Sequence, residues 1–121
     1  MTFTYDDQNI FAKILRGEIP NETVFESEYA LAFKDINPMA PVHVLVIPKG
    51  PYVSMDHFCQ AARAEEIEGF MRAVGEVCEI VGVEEGFRVI SNAREHGVQE
   101  VPHLHFHILG GRVLGPILAK A

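Results

Sequence analysis

Three histidines, His103, His105 and His107, occupy positions i, i+2 and i+4 of the apolar run VPHLHFHILGG, residues 101–111. The chain has 6 histidines, so half of them fall in this one short stretch. A neutral imidazole, with a pKa of about 6.5, can attack phosphorus or carry a proton at neutral pH. On an extended strand successive side chains point to opposite faces. The three imidazoles would therefore share one face, and Leu104, Phe106 and Ile108 the other. A merely solvated strand face would more naturally use Thr, Lys or Glu, so the imidazoles read as chemistry.

Two chemistries compete at this point. Imidazole is a common zinc ligand, which makes metal binding one of them. Residues i and i+4 on a strand lie roughly 13 Å apart, too far for both to close on one ion at about 2 Å. Two histidines with an outside ligand, His43 or Glu100, would serve instead. The other is nucleophilic catalysis: one imidazole attacks a phosphoryl group while its neighbours bond the phosphoryl oxygens and handle a proton.

The elements that must position these residues follow from periodicity. Asp6 or Asp7 is placed to cap a short helix with the stripe Ile10, Phe11, Ile14 and Leu15, which Gly17 stops and Pro20 keeps from continuing. Thr23–Glu26 and Tyr29–Lys34 read as strands of a hairpin around Ser27-Glu28. VHVLVI, residues 42–47, is a nearly continuous apolar run, a strand expected to be covered on both faces. From about Asp56 the period changes, with Ile67, Phe70, Met71, Val74, Val77, Cys78 and Val81 at helical spacing. This predicts a helix about six turns long, closed by Gly82. Phe87–Ser91 reads as a fourth strand, residues 92–102 as a polar loop and the histidine run as the fifth strand. The expectation is a single α+β domain over residues 1–121: a five-stranded antiparallel sheet with one short N-terminal helix and one long central helix.

The formal charge is −7, from 17 acidic and 10 basic side chains. An acidic surface repels phosphate backbones and argues against a nucleic-acid partner, although backbone N–H groups and imidazoles can still meet the few charges of a small nucleotide. The N-terminus carries acidic residues where a signal peptide would be basic, and the purest apolar run, Val44–Ile47, is too short to cross a membrane. Cys59 and Cys78 form no C-x-x-C pattern, and Cys78 lies on the helical apolar stripe as a buried thiol. These features point to a soluble, reduced, cytoplasmic protein with no membrane partner.

HLHFHIL, residues 103–109, resembles the His-x-His-x-His-x-x signature of the histidine triad (HIT) family of nucleotide hydrolases and transferases. IFAKILRGEIP (10–20) and LAFKDINPMAPVHVLVIPK (31–49) resemble the N-terminal half of its HINT branch in order and spacing. The interval from Asn92 to His103 and the GGR at 110–112 agree, so the resemblance covers most of the chain. It implies the HIT-like fold and a homodimer joined near the long helix and Phe87–Ser91. It also implies that His105 attacks the α-phosphate, that the His103 carbonyl fixes the tautomer of His105, that His107 bonds the phosphate, and that His43 is a fourth catalytic histidine. Asp35 would accept hydrogen bonds from both ribose hydroxyls, a task for an acceptor-only group. Phe11, Ile14, Phe33 and Ile36 would line a purine pocket, and Asn92, Val98, Gln99, Glu100 and Val101 would surround the phosphate. Without the resemblance, His43 reads as a satisfied core residue, Asp35 as an Asx-turn residue, and the apolar four as core.

The implied activity is hydrolysis of purine nucleoside phosphoramidates or related nucleotidyl conjugates through a nucleotidyl-histidine, with no cofactor and no metal. A phosphohistidine is itself a P–N compound, so attack on a phosphoramidate exchanges one P–N bond for another. His107 stands where the transferase branch tends to have glutamine, which favours hydrolysis. The alternatives are a nucleotide-binding regulatory protein with little turnover and a dinucleoside polyphosphate hydrolase. The chain departs from the family pattern in four places. Asn9 and Ala12 stand where some HIT proteins hold zinc through cysteines. Val98 replaces a frequent glycine, and a positive φ there would strain a β-branched residue. Glu100 stands where Ser or Thr is frequent, which would repel phosphate and favour an amine-bearing leaving group. The C-terminal VLGPILAKA lacks a tryptophan-containing tail.

Overall fold

A computed structural model describes residues 2–119. The elements in chain order are α1 (Ile10–Leu15), β1 (Thr23–Glu26), β2 (Ala30–Lys34), β3 (Val42–Pro48), α2 (Met55–Ala61), α3 (Ala64–Val81), β4 (Phe87–Ile90) and β5 (Phe106–Gly110). The strands form one sheet in the order β1-β2-β3-β5-β4, every neighbouring pair antiparallel. The α+β expectation holds.

Helices cover both faces of this sheet, and the strand periodicity shows how. Ala30 and Ala32 of β2, Val44 and Val46 of β3, and Phe106 and Ile108 of β5 bury against Phe70, Ala73, Val74 and Val77 of α3. The alternate residues Leu31, Phe33, Leu45 and Ile47 bury against Phe11 and Ile14 of α1. With a layer on each side, β3 has no solvated face, which is why VHVLVI reads as a continuous apolar run.

The structure differs locally from the sequence expectation. The N-cap of α1 is Asn9, whose Oδ1 accepts the Ala12 N–H at 2.9 Å, whereas the Asp6 carboxylate takes the Gln8 N–H in a turn before the helix. The long helix is two helices, since Ala62 and Arg63 adopt extended backbone between α2 and α3. The Glu66 carboxylate restarts the helix by accepting the Arg63 backbone N–H at 3.1 Å. The break turns α2 so that Phe58 packs edge-on to Phe70, ring centroids 5.2 Å apart. β5 begins only at Phe106, so His103 and His105 precede the ladder, and β4 ends at Ile90. Gly17 stops α1 as expected, with φ at +78°. Among the described residues no helix is long and apolar enough to cross a membrane.

Candidate active site

Adjacent strands bring the first two imidazoles together. Leu45 pairs with His107 and His43 with Leu109, so His43 and His107 are diagonal neighbours on the α1 face of the sheet. His43 Nε2 lies 2.9 Å from His107 Nδ1. Upstream of the ladder the alternation persists without strand pairing. Leu104 is fully buried on the α3 side, and its N–H donates to the Tyr52 carbonyl at 2.8 Å. His103 and His105 consequently turn towards α1, where the Phe11 ring stands edge-on to both, its centroid 4.9 Å from that of His105.

Each ring has one tautomer consistent with its partners. The Met39 backbone N–H donates to His43 Nδ1 at 3.1 Å, so the His43 proton is on Nε2 and donates to His107 Nδ1. His107 then carries its own proton on Nε2, away from the pair. His105 Nδ1 lies 2.7 Å from the His103 carbonyl, which can only accept. Its proton is therefore on Nδ1 and its lone pair on Nε2. His103 Nε2 donates to the Pro48 carbonyl at 2.8 Å, and its Nδ1 accepts from the Tyr5 hydroxyl at 2.6 Å. His105 and His107 have ring centroids 5.0 Å apart, so an imidazole lone pair stands beside an imidazole N–H donor. A nucleophile next to an oxyanion donor is what displacement at phosphorus requires.

Burial keeps these rings neutral. It pushes His103 down to about 4. His107 is also held at about 4, by burial first and then by the neighbouring His105 and His43. His105 is lowered by burial, against the opposing hydrogen bond to the His103 carbonyl and the negative charges of Asp35 and Glu100. His43 is lowered by burial against the pull of Asp35. The His105 lone pair is thus available at neutral pH.

Asp35 fits its unaided reading and also borders the imidazoles. Its Oδ1 accepts the Asn37 N–H at 2.8 Å in an Asx-turn, and its Oδ2 lies 3.4 Å from His43 Nε2. The potential ligand atoms of Asp35, His43 and His107 all fall within 4.8 Å of one another. Their protonation does not suit a cation: with Nδ1 accepting from Met39, His43 Nε2 holds the proton and offers no lone pair.

The remaining expected residues divide. Phe11, Ile14 and Phe33 are buried as core, whereas Ile36 is 90% exposed on the loop after Asp35. Asn92 is half-buried at the start of the loop that precedes the triad, and Glu100 is exposed at its end. Val101 packs on the α1-side cluster, and its carbonyl accepts the His103 N–H at 2.9 Å. Val98 is 70% exposed and has φ at +56°, the strained conformation its replacement of glycine raised. Gln99 has its side chain engaged by the protein itself. Its Nε2 donates to the Val53 and Val101 carbonyls, its Oε1 accepts the Arg94 N–H, and its own N–H goes to the Arg94 carbonyl. It clamps the loop.

Arg94 and Tyr5 carry no local sequence signal, because their partners are 38 to 98 residues away. Arg94 ties the loop to the start of α2 through Asp56, at 2.7 and 3.2 Å, and Ser54. Arg94, with Ser54, holds the Asp56 carboxyl well below the usual carboxylate range. Tyr5 reaches the triad from the N-terminus, and the Met39 N–H sets the His43 tautomer.

Comparison with known proteins agrees with this geometry. The HIT domain family model matches residues 16–114. An uncharacterized 13.2 kDa HIT-like protein from Azospirillum brasilense is 58% identical over 121 residues, covering 99% of each chain. The purine nucleoside phosphoramidase of Escherichia coli strain K12 is 43% identical over 115 residues, covering 93% of this chain and 95% of that protein. Among solved structures, a HIT family hydrolase from Clostridium thermocellum superposes with a TM-score of 0.82 at 39% identity, covering 93% of this chain and 99% of that one.

Proposed function

This chain belongs to the HIT domain family, and on that premise we propose that it hydrolyses purine nucleoside phosphoramidates or related nucleotidyl conjugates through a covalent nucleotidyl-histidine. The observation that carries the reading is the tautomer of His105. Its Nδ1 proton is committed to the His103 carbonyl, so the Nε2 lone pair is presented beside the N–H of His107. In the proposed reaction Nε2 attacks the α-phosphorus and the P–N bond to the leaving amine breaks. His107 Nε2–H bonds a phosphoryl oxygen, and the His103 carbonyl stabilises the imidazole as it gains positive charge. His43 holds the His107 tautomer, and the departing amine takes a proton from a neighbouring imidazole or water. Water then attacks the phosphorus, releasing nucleoside monophosphate and restoring His105. No step draws on a metal or cofactor.

Asp35 would accept the ribose hydroxyls at the mouth of the site, where its Oδ2 lies close to His43. The exposed Ile36 would cover one side of the base, with Phe11, Ile14 and Phe33 as the apolar floor. Asn92, Val98, Glu100 and Val101 would border the phosphate and leaving group. A homodimer is part of the proposal: β4 is an edge strand, and its exposed Phe87 and Val89 are apolar side chains that a second copy would cover. Free Cys59 and Cys78 suit the reducing cytoplasm.

The test is hydrolysis of adenosine 5′-phosphoramidate with a chelator present, alongside His105→Ala. Turnover that survives chelation and disappears in the variant is expected. Tight AMP binding without turnover would overturn the hydrolase assignment in favour of a binding protein.

A further inference from the structure

We infer that Tyr5, which precedes the 16–114 segment matched by the family model, is a positioning residue for His105: it fixes the His103 ring and thereby the carbonyl that orients the nucleophile. The inference rests on the proposed reaction and adds a residue to it.

The argument begins where the sheet ends. β5 starts at Phe106, so strand pairing does not hold the His103 carbonyl in place. Two backbone bonds constrain this segment, His103 N–H to the Val101 carbonyl and Leu104 N–H to the Tyr52 carbonyl. The other constraint is the His103 ring, which is clamped at both ends. Nε2 donates to Pro48 at the end of β3, and Nδ1 accepts from Tyr5. The ring is fully buried, and an imidazole nitrogen deprived of its partner in such a place is costly. Without the Tyr5 hydroxyl, Nδ1 would have to find another donor by rotation or by a change of tautomer. Either movement is transmitted to the carbonyl of the same residue.

The N-terminal segment is built to deliver this hydroxyl. Phe3 stacks on His57 with ring centroids 4.5 Å apart, Asn9 Nδ2 donates to the Asp6 carbonyl at 2.7 Å, and Arg16 donates to the Asp7 carbonyl at 2.8 Å. Tyr5 lies between these anchors, edge-on to His103 with centroids 5.6 Å apart. Burial raises its pKa, as do Asp7 and Asp6, against the Asn9 hydrogen bond and Arg16, so the phenol remains a donor at neutral pH.

Tyr5→Phe removes the hydroxyl and keeps the ring packing. The expected result is a fall in kcat of about 10–100-fold, the usual consequence of slight misplacement. KM should stay within about two-fold, because the nucleotide contacts remain. Nitrogen-15 NMR of the ligand-free protein should show His105 as the Nδ1–H tautomer in the wild type and as a mixture in the variant. Unchanged kcat and an unchanged His105 tautomer in Tyr5→Phe would overturn the inference. So would a lowered unfolding midpoint with normal turnover per folded molecule, which is a purely structural role. The NMR signature needs no turnover: an inactive wild type whose His105 tautomer still depends on Tyr5 would refute the proposed reaction and uphold the positioning.

Discussion

On one side of the segment 103–108, Leu104, Phe106 and Ile108 bury against Phe70 and Val77 of α3; on the other, His103 and His105 are only 0% and 6% exposed. Burial is nearly equal, but it demands different things. The apolar side gains about 25 cal/mol per Å² removed from water, without regard to direction. The imidazole side must give every desolvated nitrogen a partner, and each ring accordingly has an assigned donor or acceptor at 2.6–3.1 Å. Backbone strain follows the same division. The non-glycine residues with positive φ, among those described, are Arg94 and Val98, both in the loop before the triad. An error on the α3 side should therefore cost stability, and an error on the α1 side should cost chemistry.

The largest contrast is between His105→Ala and Phe106→Ala. Loss of the proposed nucleophile should lower kcat by roughly 10⁴-fold or more, with unfolding free energy changed by about 1 kcal/mol. Phe106→Ala should cost about 3–5 kcal/mol of stability through the cavity left against Phe70, whose centroid is 4.9 Å away. Its kcat per folded molecule should stay within about ten-fold. Urea titrations and turnover measured on both variants decide this. A Phe106→Ala protein that keeps its stability, or a His105→Ala protein that keeps its activity, refutes the division.

A second contrast uses pH. The folded pKa of His103 is about 4, against 6.5 for a free imidazole. Between these values the unfolded chain binds more protons, so the stability contribution is full above pH 6.5 and is lost as pH falls towards 4. The loss should be on the order of 3 kcal/mol. Urea midpoints of wild type and His103→Gln at a series of acid pH values isolate it, since other titrating groups cancel in the difference. Parallel profiles would mean that His103 is not buried neutral. Activity should fall on acidification as well, at a pH below the ordinary imidazole value, because burial lowers His105 and its protonation removes the lone pair.

The same contrast explains what was legible in the sequence. The apolar side was readable because non-directional burial leaves a period in the chain: the run in β3 and the alternation of Leu104, Phe106 and Ile108 both follow from it. The triad was readable for a related reason, since alternation puts three imidazoles on one face. Directional partners leave no such trace. The Tyr5 hydroxyl is 98 residues from His103, and the Tyr52 carbonyl that stands in for the missing ladder belongs to another loop. Gln99 illustrates the converse, because its position suggested a phosphate contact while its hydrogen bonds are spent inside the loop. The break at Ala62 and Arg63 leaves no local signal, because both residues are good helix formers. Asp6, Asp7 and Asn9 are all competent caps, and only the path of the chain selects Asn9.

The smallest expected effect tests the strain in the loop. Val98 has φ at +56°, where a β-branched side chain meets its own backbone, and its 70% exposure means that it gains little from packing there. Glycine adopts this conformation without strain but loses more chain entropy on folding. The first effect should exceed the second, so Val98→Gly should stabilise the fold by about 1 kcal/mol, read as a raised urea midpoint at unchanged slope. Ala is the informative control: it removes the branching and keeps the Cβ, so it should gain less than glycine. If both variants lose stability, the loop is held by contacts of the valine side chain, and the division between a strained site side and a relaxed core side fails at this residue.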